Sequence, residues 1–206
     1  MMESIETERL ILKALEKKDA ESILKIKGDR ETAWWSDDYQ HNNLDDAIGF
    51  IAWGNECVEI LQYGIFRKES DDVIGYVQIK LPTVTGTRDG RELGYVLSKE
   101  YSGRGYMSEA INAVCNHLFQ DKTIRHITLE ILPDNLPSLG VARKCGFSFV
   151  EEPEEQKHRR FLDDKPLDLY VRYRASAGTT RNMVYGVVYG KARRWWGAVL
   201  DEDKKP

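Results

Sequence analysis

Residues 92–111, in the middle of the chain, read Glu-Leu-Gly-Tyr-Val-Leu-Ser-Lys-Glu-Tyr-Ser-Gly-Arg-Gly-Tyr-Met-Ser-Glu-Ala-Ile. The apolar start predicts a strand, and apolar residues at helical spacing after Gly105 predict a helix. Between them, Gly103 and Gly105 allow backbone angles that turn successive N–H groups toward one point, with the positive end of the helix behind them. This arrangement suits a pyrophosphate, and Arg104 adds a cation at the same place.

The same turn excludes two other nucleotide-binding motifs. A P-loop requires the string GxxxxGK[ST], which the chain lacks, and a dinucleotide fingerprint requires a glycine where Ser108 stands. A Gly-x-Gly is also typical of a plain strand-to-helix turn. The turn alone therefore leaves both interpretations open.

The flanking segments alternate between strand and helix patterns. Polar connections between consecutive strands predict hairpins, and a later strand–helix–strand order predicts a crossover. We therefore predict a single α/β (α+β) domain with a mixed, mostly antiparallel seven-stranded sheet and about four helices. The predicted strands are Glu8–Leu15, Glu59–Arg67, Val73–Leu81, Glu92–Ser98, His126–Leu132, Phe147–Val150 and Leu167–Tyr173. Two predicted helices follow Asp19 and Asn43, which are their predicted N-caps, a third follows Gly105 and a fourth covers Pro137–Lys144; Asp29–Asn43 is predicted to be mobile.

The composition limits the class of function. The 206 residues include 30 Lys and Arg against 34 Asp and Glu, a net charge of −4, which disfavours a nucleic-acid partner. Acids stand where a signal peptide has a basic start, and no apolar run is long enough to span a membrane, so we expect a cytoplasmic protein without a membrane partner. The three well-separated cysteines predict buried, reduced thiols rather than disulfides.

The C-terminal residues differ from the rest in charge. Leu169 to Leu200 contains no acid and mixes arginines with tyrosines and tryptophans. We divide the chain into a domain over residues 1–175 and a basic, aromatic extension of unassigned role over residues 176–206. For the extension we expect core packing or a homodimer contact, with an added strand, a partner-binding arm or a disordered end as alternatives.

A second motif lies further along the chain, where Asn135-Leu-Pro-Ser138 precedes a helix and Gly146-Phe147 follows it. Together with Thr7-Glu-Arg-Leu10 and the Glu92–Ile111 stretch, this order of motifs resembles the GNAT superfamily of acyl-CoA-dependent N-acetyltransferases. Within it, the chain is most similar to the RimJ/RimL type, the ribosomal-protein alanine N-acetyltransferases. The resemblance covers residues 6–175 and implies splayed central strands, acetyl-CoA as cosubstrate and no metal.

The resemblance implies a coenzyme A site along the glycine turn and the helix after Asn135. The implied binding residues are Val96, Leu97, Ser98, Gly103, Arg104, Gly105, Tyr106, Met107, Asn135 and Ser138. Asn135 or Ser138 would serve equally well as an N-cap of the following helix. Glu109, in the first turn of the phosphate helix, is predicted to be structural.

Two positions depart from the family pattern. Glu100 stands where the motif has Gln or Arg, and Ala142 stands where many members have a tyrosine that protonates the leaving thiolate. The resemblance then assigns the proton donor to Ser138. The cysteine near the thiol end of the site, Cys145, has no activating neighbour in the sequence, so we expect direct transfer rather than a covalent enzyme intermediate.

The implied reaction also needs a base and an oxyanion donor. Glu92 is the first candidate base and Glu130 the second, although each is also compatible with a surface or ion-paired acid. A backbone amide between Gly94 and Leu97 would stabilise the oxyanion. Gly94 inside an apolar strand predicts a β-bulge or a close backbone approach.

The acceptor side is predicted from an acidic, aromatic stretch. Trp34, Trp35 and Tyr39, with Asp37, Asp38, His41 and the acids of residues 151–155, would form a rim for a cationic amine. A solvated loop with a Trp pair packed on the core explains the same residues. We therefore expect a primary-amine acceptor: a protein N-terminus or a small molecule such as a polyamine or aminoglycoside. A non-catalytic CoA-binding or scaffold protein of the same fold is the alternative.

Overall fold

An open sheet of eight strands forms the centre of the protein, in the order β1-β2-β3-β4-β5-β6-β10-β7, and β8 and β9 pair separately. The computed structural model describes residues 2–35, 40–82, 88–151, 161–162 and 165–175. The strands are β1 (Ile5–Glu6), β2 (Leu10–Lys13), β3 (Leu61–Arg67), β4 (Val73–Lys80), β5 (Gly90–Leu97), β6 (His126–Ile131), β7 (Ser148–Phe149), β8 (Phe161–Leu162), β9 (Lys165–Pro166) and β10 (Asp168–Tyr173); the α-helices are α1 (Ala20–Lys27), α2 (Arg30–Trp35), α3 (Leu44–Glu56), α4 (Tyr106–Leu118) and α5 (Leu136–Lys144).

The predicted fold class is confirmed, but the strand and helix counts differ. The predicted first strand, Glu8–Leu15, contains only β2, and β1 before it is an additional strand. The Thr7 amide donates to the Leu10 carbonyl and the Leu10 amide donates to the Thr7 hydroxyl, which turns β1 back onto β2. The sheet therefore has eight strands rather than seven. Part of the segment predicted to be mobile is α2, because the Asp29 carboxylate accepts the Thr32 amide at 2.8 Å and begins a helix there.

The strand pair β5–β6 is parallel, whereas every other described pair in the sheet is antiparallel. Its pairing covers only Gly90 to Glu92 against His126 to Thr128, although both strands continue beyond these residues. The two strands therefore separate toward their C-terminal ends. This confirms the splayed central strands.

The bulge predicted at Gly94 is wrong. The β4–β5 register runs without a shift from Gly75–Leu97 to Lys80–Glu92, and the irregularity in the sheet lies between Ile65 and Phe66 of β3. A Cβ at Gly94 would meet no atom of the described residues within 4 Å. The strand is therefore regular at this glycine, and the missing side chain leaves open space in the described part of the chain.

Apolar side chains cover both faces of the sheet. On one face, Ile111 and Val114 of α4 and Ala142 of α5 pack with Leu12 and Ile65 of the sheet. On the other face, residues of α1 and α3 pack against the opposite side chains of β3 and β4: Ile23, Ile26, Ala47, Ile51, Phe66 and Tyr76. Each fully buried Leu, Ile or Phe contributes about 1.5–3 kcal/mol. The alternation of side chains along each strand therefore builds two apolar layers.

Helix caps explain where α1 and α3 begin. The Asn43 side chain accepts the Asp46 amide at 3.0 Å, which confirms the predicted cap of α3. The predicted cap of α1 by the Asp19 side chain is wrong. Residues Lys17–Asp19 form a short 3-10 turn, so the backbone of Asp19 is already helical and its carboxylate accepts the Glu16 amide instead.

The described cysteines Cys57, Cys115 and Cys145 are free, and Cys57 is only half-buried. None of the described helices is both long and apolar enough to cross a membrane.

A hydrogen-bonded cluster ties the N-terminal hairpin to the start of α4. The Glu109 carboxylate accepts the Thr7 hydroxyl at 2.6 Å, the Arg9 amide at 2.9 Å and Arg9 Nε at 2.7 Å. The same guanidinium donates from Nη1 to the Arg104 carbonyl at 3.1 Å. Burial of the Glu109 carboxyl alone would raise its pKa, but the donors from Thr7 and Arg9 outweigh it and lower the pKa.

We expect Glu109→Gln to lower the free energy of unfolding by about 1–2 kcal/mol at pH 7, because charge-assisted bonds are lost. The folded-state pKa is depressed, so this contribution is present above the unfolded value near 4.3 and is lost as the pH falls through the folded value. Urea unfolding at pH 7 and pH 3 measures it, and the difference between the two proteins should shrink at the lower pH. Glu69→Gln, which removes an exposed ion pair with Arg67, is the control and should change little. An undiminished difference at pH 3 would contradict the electrostatic origin.

Candidate active site

Two cavities open beside the gap between β5 and β6, with volumes of about 440 Å³ and 660 Å³. Gly103 and Gly105 line the smaller one, which we call the turn cavity. Phe50 and Trp53 of α3 line the larger one, which we call the α3 cavity. The residues that line both are Trp35, Tyr95, Val96, Asn135 and Ser138. These five residues form a common border, so molecules in the two cavities would lie beside the same side chains.

The glycine turn and the start of α4 line the turn cavity. Gly103 and Gly105 have φ values of 76° and 82°, in the left-handed region that costs other residues about 1–2 kcal/mol. Among the residues that the structure describes, a Cβ at Gly103 would meet no atom within 4 Å. The first-turn amides of α4 have no carbonyl within the helix to bond. The turn therefore offers an open surface of N–H donors to an anion.

Side-chain charges surround this turn unevenly. Lys99 lines the turn cavity and forms an ion pair with Glu31, which also lines it. Glu100, the departure from the family pattern, is exposed and pairs with Lys25 of α1 at 2.9 Å. Glu100 lines neither cavity, so its carboxylate is not part of the surface around the glycine turn.

Asn135 and Ser138 begin α5 at the border of both cavities. The Asn135 side chain accepts the Ser138 amide at 3.1 Å, so Asn135 is the N-cap of this helix. Asn135 also lines both cavities, so its role as a cap is compatible with contact to a ligand. Ser138 is half-buried in the first turn of α5 and lines both cavities.

Tyr95 is a border residue that the sequence patterns did not single out. Its hydroxyl donates to the Ser138 carbonyl at 3.4 Å, and burial raises the pKa of the phenol well above its ordinary value. The phenol therefore stays protonated at neutral pH. Tyr95 is beside the gap because the pairing of β5 with β6 stops after Glu92. No sequence pattern indicates where this pairing stops.

Two positions relevant to thiol chemistry are buried. Ala142, where many members of the superfamily have a tyrosine, packs in the core. The Cys145 thiol donates to the Ser108 carbonyl at 3.4 Å, and burial raises its pKa to about 11. A protonated, buried thiol is a poor nucleophile.

One face of α3 lines the α3 cavity. Asp46, Gly49, Phe50 and Trp53 follow the i, i+3, i+4, i+7 spacing of a single helix face. Phe50 contacts Tyr76 of β4, with ring centroids 5.0 Å apart. The sequence patterns did not mark Phe50, Trp53 and Tyr76 as site residues, although Phe50 and Trp53 are one turn apart. Their spacing is typical of core packing, and Trp53 is instead 47% exposed.

Carboxylates line the same cavity from the sheet. Glu92 is 4% exposed and forms an ion pair with Lys80 at 2.9 Å. Glu130 of β6 is half-buried. Both candidate bases are therefore in the α3 cavity, and Ser138 is at its border with the turn cavity. The ion-paired alternative also describes Glu92.

The other predicted site residues divide into three groups. Leu97 and Met107 line the turn cavity with the glycines, and His41 lines the α3 cavity. Trp34, 41% exposed, lines neither cavity. Ser98, Arg104 and Tyr106 also line neither cavity. The Ser98 amide donates to the Ile74 carbonyl, and the Arg104 carbonyl accepts from the Arg9 guanidinium, which lies over the Tyr106 ring. Asp37, Asp38, Tyr39 and residues 152–155 are outside the described residues.

Comparison with known proteins identifies the family. Residues 9–148 match the model of the acetyltransferase (GNAT) domain. The chain belongs to the GNAT acetyltransferase family. This GNAT chain is 27% identical over 150 residues to an uncharacterized N-acetyltransferase, p20, of Bacillus licheniformis, a match that covers 71% of this chain and 83% of the relative.

Solved GNAT structures share the fold at lower identity. A putative ribosomal-protein-serine acetyltransferase from Vibrio cholerae has a TM-score of 0.69 at 21% identity, covering 84% of this chain and 98% of the other. The microcin C7 self-immunity acetyltransferase MccE, solved in complex with acetyl-CoA and AMP, has a TM-score of 0.68 at 20% identity and covers 82% and 94%. At these identities the likeness establishes the fold alone.

Proposed function

We propose that this GNAT protein is an N-acetyltransferase that transfers an acetyl group from acetyl-CoA to a primary amine by direct attack in a ternary complex. The observation that carries the proposal is the common border of the two cavities at Trp35, Tyr95, Val96, Asn135 and Ser138. Two ligands that meet at such a border react as if they were one molecule, which removes much of the entropic barrier.

The turn cavity suits the donor. Gly103 and Gly105 leave an open turn of backbone donors at the N-terminus of α4, which fits a pyrophosphate, and a Cβ at Gly103 would occupy that open space. The structurally similar MccE was solved with acetyl-CoA. When bound, acetyl-CoA supplies an acetyl group activated as a thioester. Asn135 and Ser138 would contact the arm that carries it.

The chain's own residues account for the proton movements. A carboxylate, Glu92 or Glu130, accepts a proton from the ammonium group, directly or through water, and so leaves a neutral amine with a lone pair. That lone pair forms the new N–C bond while an amide between Gly94 and Leu97 donates to the carbonyl oxygen. As the C–S bond breaks, the Ser138 hydroxyl gives a proton to the leaving sulfur and takes up, directly or through water, the proton that the acylated nitrogen loses, so that the products are an amide and the free thiol of CoA.

The RimJ/RimL branch is the finer part of the proposal. The Vibrio cholerae neighbour is described as a putative ribosomal-protein-serine acetyltransferase, and another neighbour, a spermidine N-acetyltransferase from Vibrio cholerae, was solved with CoA and spermine. An α-amino group, with a pKa of about 7.7–8.0, loses its proton more readily than a lysine near 10.4. For a protein N-terminus, a water chain that ends at one carboxylate would therefore suffice as the base. A small-molecule amine is the other acceptor class.

A non-catalytic CoA-binding protein is the second candidate. The observation that favours it is Ala142, which is buried and carries no hydroxyl where many members of the superfamily have a tyrosine. Such a protein would keep the open glycine turn and bind the donor without turnover.

The first test is binding and turnover with acetyl-CoA. We expect acetyl-CoA at about 100 times its Kd to stabilise the protein by about 2.7 kcal/mol and to raise Tm by about 5–10 °C. With a panel of N-terminal peptides, polyamines and other primary amines, it should release free thiol. Gly103→Ala, which requires an unfavourable backbone angle at the turn, should weaken the stabilisation. Absence of any Tm change at millimolar acetyl-CoA would rule the function out.

Ser138→Ala separates the enzyme from the scaffold. If Ser138 protonates the leaving sulfur, kcat should fall by about 100-fold while the Kd for CoA is unchanged. The Kd is measured by calorimetry and the rate by thiol release. A wild-type protein that binds acetyl-CoA and acetylates no amine is the scaffold, and an unchanged kcat removes Ser138 from the mechanism.

Glu92→Gln tests the base. The rate of the wild-type protein should fall at low pH as the base is protonated, and the variant should lose this acidic limb together with most of its rate. The pH dependence of the rate is measured in parallel for Glu130→Gln, which removes the second candidate base on the neighbouring strand β6. If the limb persists in Glu92→Gln and disappears in Glu130→Gln, the second carboxylate is the base.

A further inference from the structure

The middle of α3 lacks a side chain where the helix borders the α3 cavity. Gly49 has α-helix on both sides, and a glycine there makes a helix less stable than an alanine would. A Cβ at Gly49 would meet no atom of the described residues within 4 Å. The described packing therefore does not require a glycine, and since Gly49 is exposed and lines the α3 cavity, the open space is at the mouth of that cavity.

Gly94 repeats this feature on β5. It lines the same cavity, its strand is regular, and an added Cβ would again meet no atom of the described chain within 4 Å. Two elements that pack on different sides of the cavity thus both lack a side chain toward it. We call the space beside these two glycines the glycine slot.

Aromatic rings border the glycine slot on α3. The centroid of the Phe50 ring is 6.4 Å from that of Trp53, 5.0 Å from that of Tyr76 and 5.6 Å from that of His41. Trp53 lines the α3 cavity and is 47% exposed, so a large aromatic surface is accessible there. Rings stack on or meet edge-on with other rings at centroid distances of about 4.5–7 Å. This wall therefore suits another flat ring.

The charges nearby disfavour a polycation on the wall. Lys27 is 2% exposed, and its Nζ is 4.3 Å from the Phe50 ring centroid and 3.4 Å from the Tyr76 hydroxyl oxygen. A second cation on the same rings would be repelled by this ammonium. Lys80 already pairs with Glu92 and offsets part of the negative charge in the cavity. A single ammonium next to the carboxylates, away from the rings, fits this distribution.

We propose that the acceptor is a primary amine joined by a short linker to a flat aromatic or heteroaromatic group. The group occupies the glycine slot against Phe50 and Trp53, and the amine is next to Glu92 and Glu130. This inference rests on the proposed N-acetyltransferase function and names its substrate class.

The experiment compares four amines at saturating acetyl-CoA: tryptamine, spermidine, a Ser-initiated hexapeptide and ethylamine, which is too small to reach the slot. We expect kcat/KM for tryptamine to exceed each of the others by at least tenfold. Gly49→Ala should lower kcat/KM for tryptamine by at least tenfold more than that for ethylamine, and raise Tm by about 2–4 °C because alanine favours the helix.

Two variants are matched controls. Gly140→Ala makes the same change in α5, where the added Cβ also meets no atom but lines the turn cavity. It should raise the KM for acetyl-CoA without changing the order of the amines. Ala52→Gly lowers the helix propensity of α3 at an exposed position that lines neither cavity. It should lower Tm and leave every kcat/KM unchanged.

The outcomes separate the two proposals. A preference for spermidine or the peptide, or a tryptamine kcat/KM unchanged by Gly49→Ala, overturns the inference and leaves N-acetyl transfer intact. Absence of thiol release with all four amines overturns the proposed function. In that case, calorimetry of tryptamine on the CoA-saturated protein still tests the slot: binding weakened at least tenfold by Gly49→Ala supports it, and equal or absent binding overturns it.

Discussion

The separation of β5 from β6 is the constraint on which the site depends. The two strands pair in parallel over only three residues each, Gly90–Glu92 and His126–Thr128, and then diverge. Beyond Glu92, the edge of β5 that faces β6 has no partner strand in the described chain, so its backbone borders a gap rather than a sheet. The helix that follows each strand, α4 or α5, begins close to this gap. Both helix N-termini therefore contribute donors to one region.

Interactions away from the gap hold its parts in position. Glu109 binds Thr7 and Arg9, and Arg9 in turn holds the Arg104 carbonyl, so the N-terminal hairpin braces the glycine turn. On the other face of the sheet, Lys27 is buried against Phe50 and Tyr76, whose rings line the α3 cavity. The charge behind the rings thus affects which groups the cavity can accept. The core and the site are built from the same side chains here.

Local patterns predicted most of the helices and strands, and they failed where a tertiary contact overrides them. The period change after Gly105 and the Asn43 cap were sufficient for α4 and α3. The hairpin at β1 depends on the Thr7 hydroxyl, and α2 depends on the Asp29 carboxylate. A prediction from the spacing of apolar residues gives little weight to such single polar side chains. The Gly94 bulge failed because a glycine in a strand can mark open space as well as a distortion. Phe50 and Trp53 were missed because a core face and a cavity face of a helix have the same spacing.

The sequence by itself determined the order of the elements, the open glycine turn and membership of a superfamily, because these depend on local backbone preferences and on short motifs. It also placed Glu92, Glu130 and Ser138 among the candidates, but without their relation to one another. Only the tertiary structure decided that the two carboxylates line one cavity and that Ser138 borders both. That relation arises from where β5 and β6 stop pairing, and the end of a strand pair depends on packing from both faces of the sheet rather than on either strand's own residues.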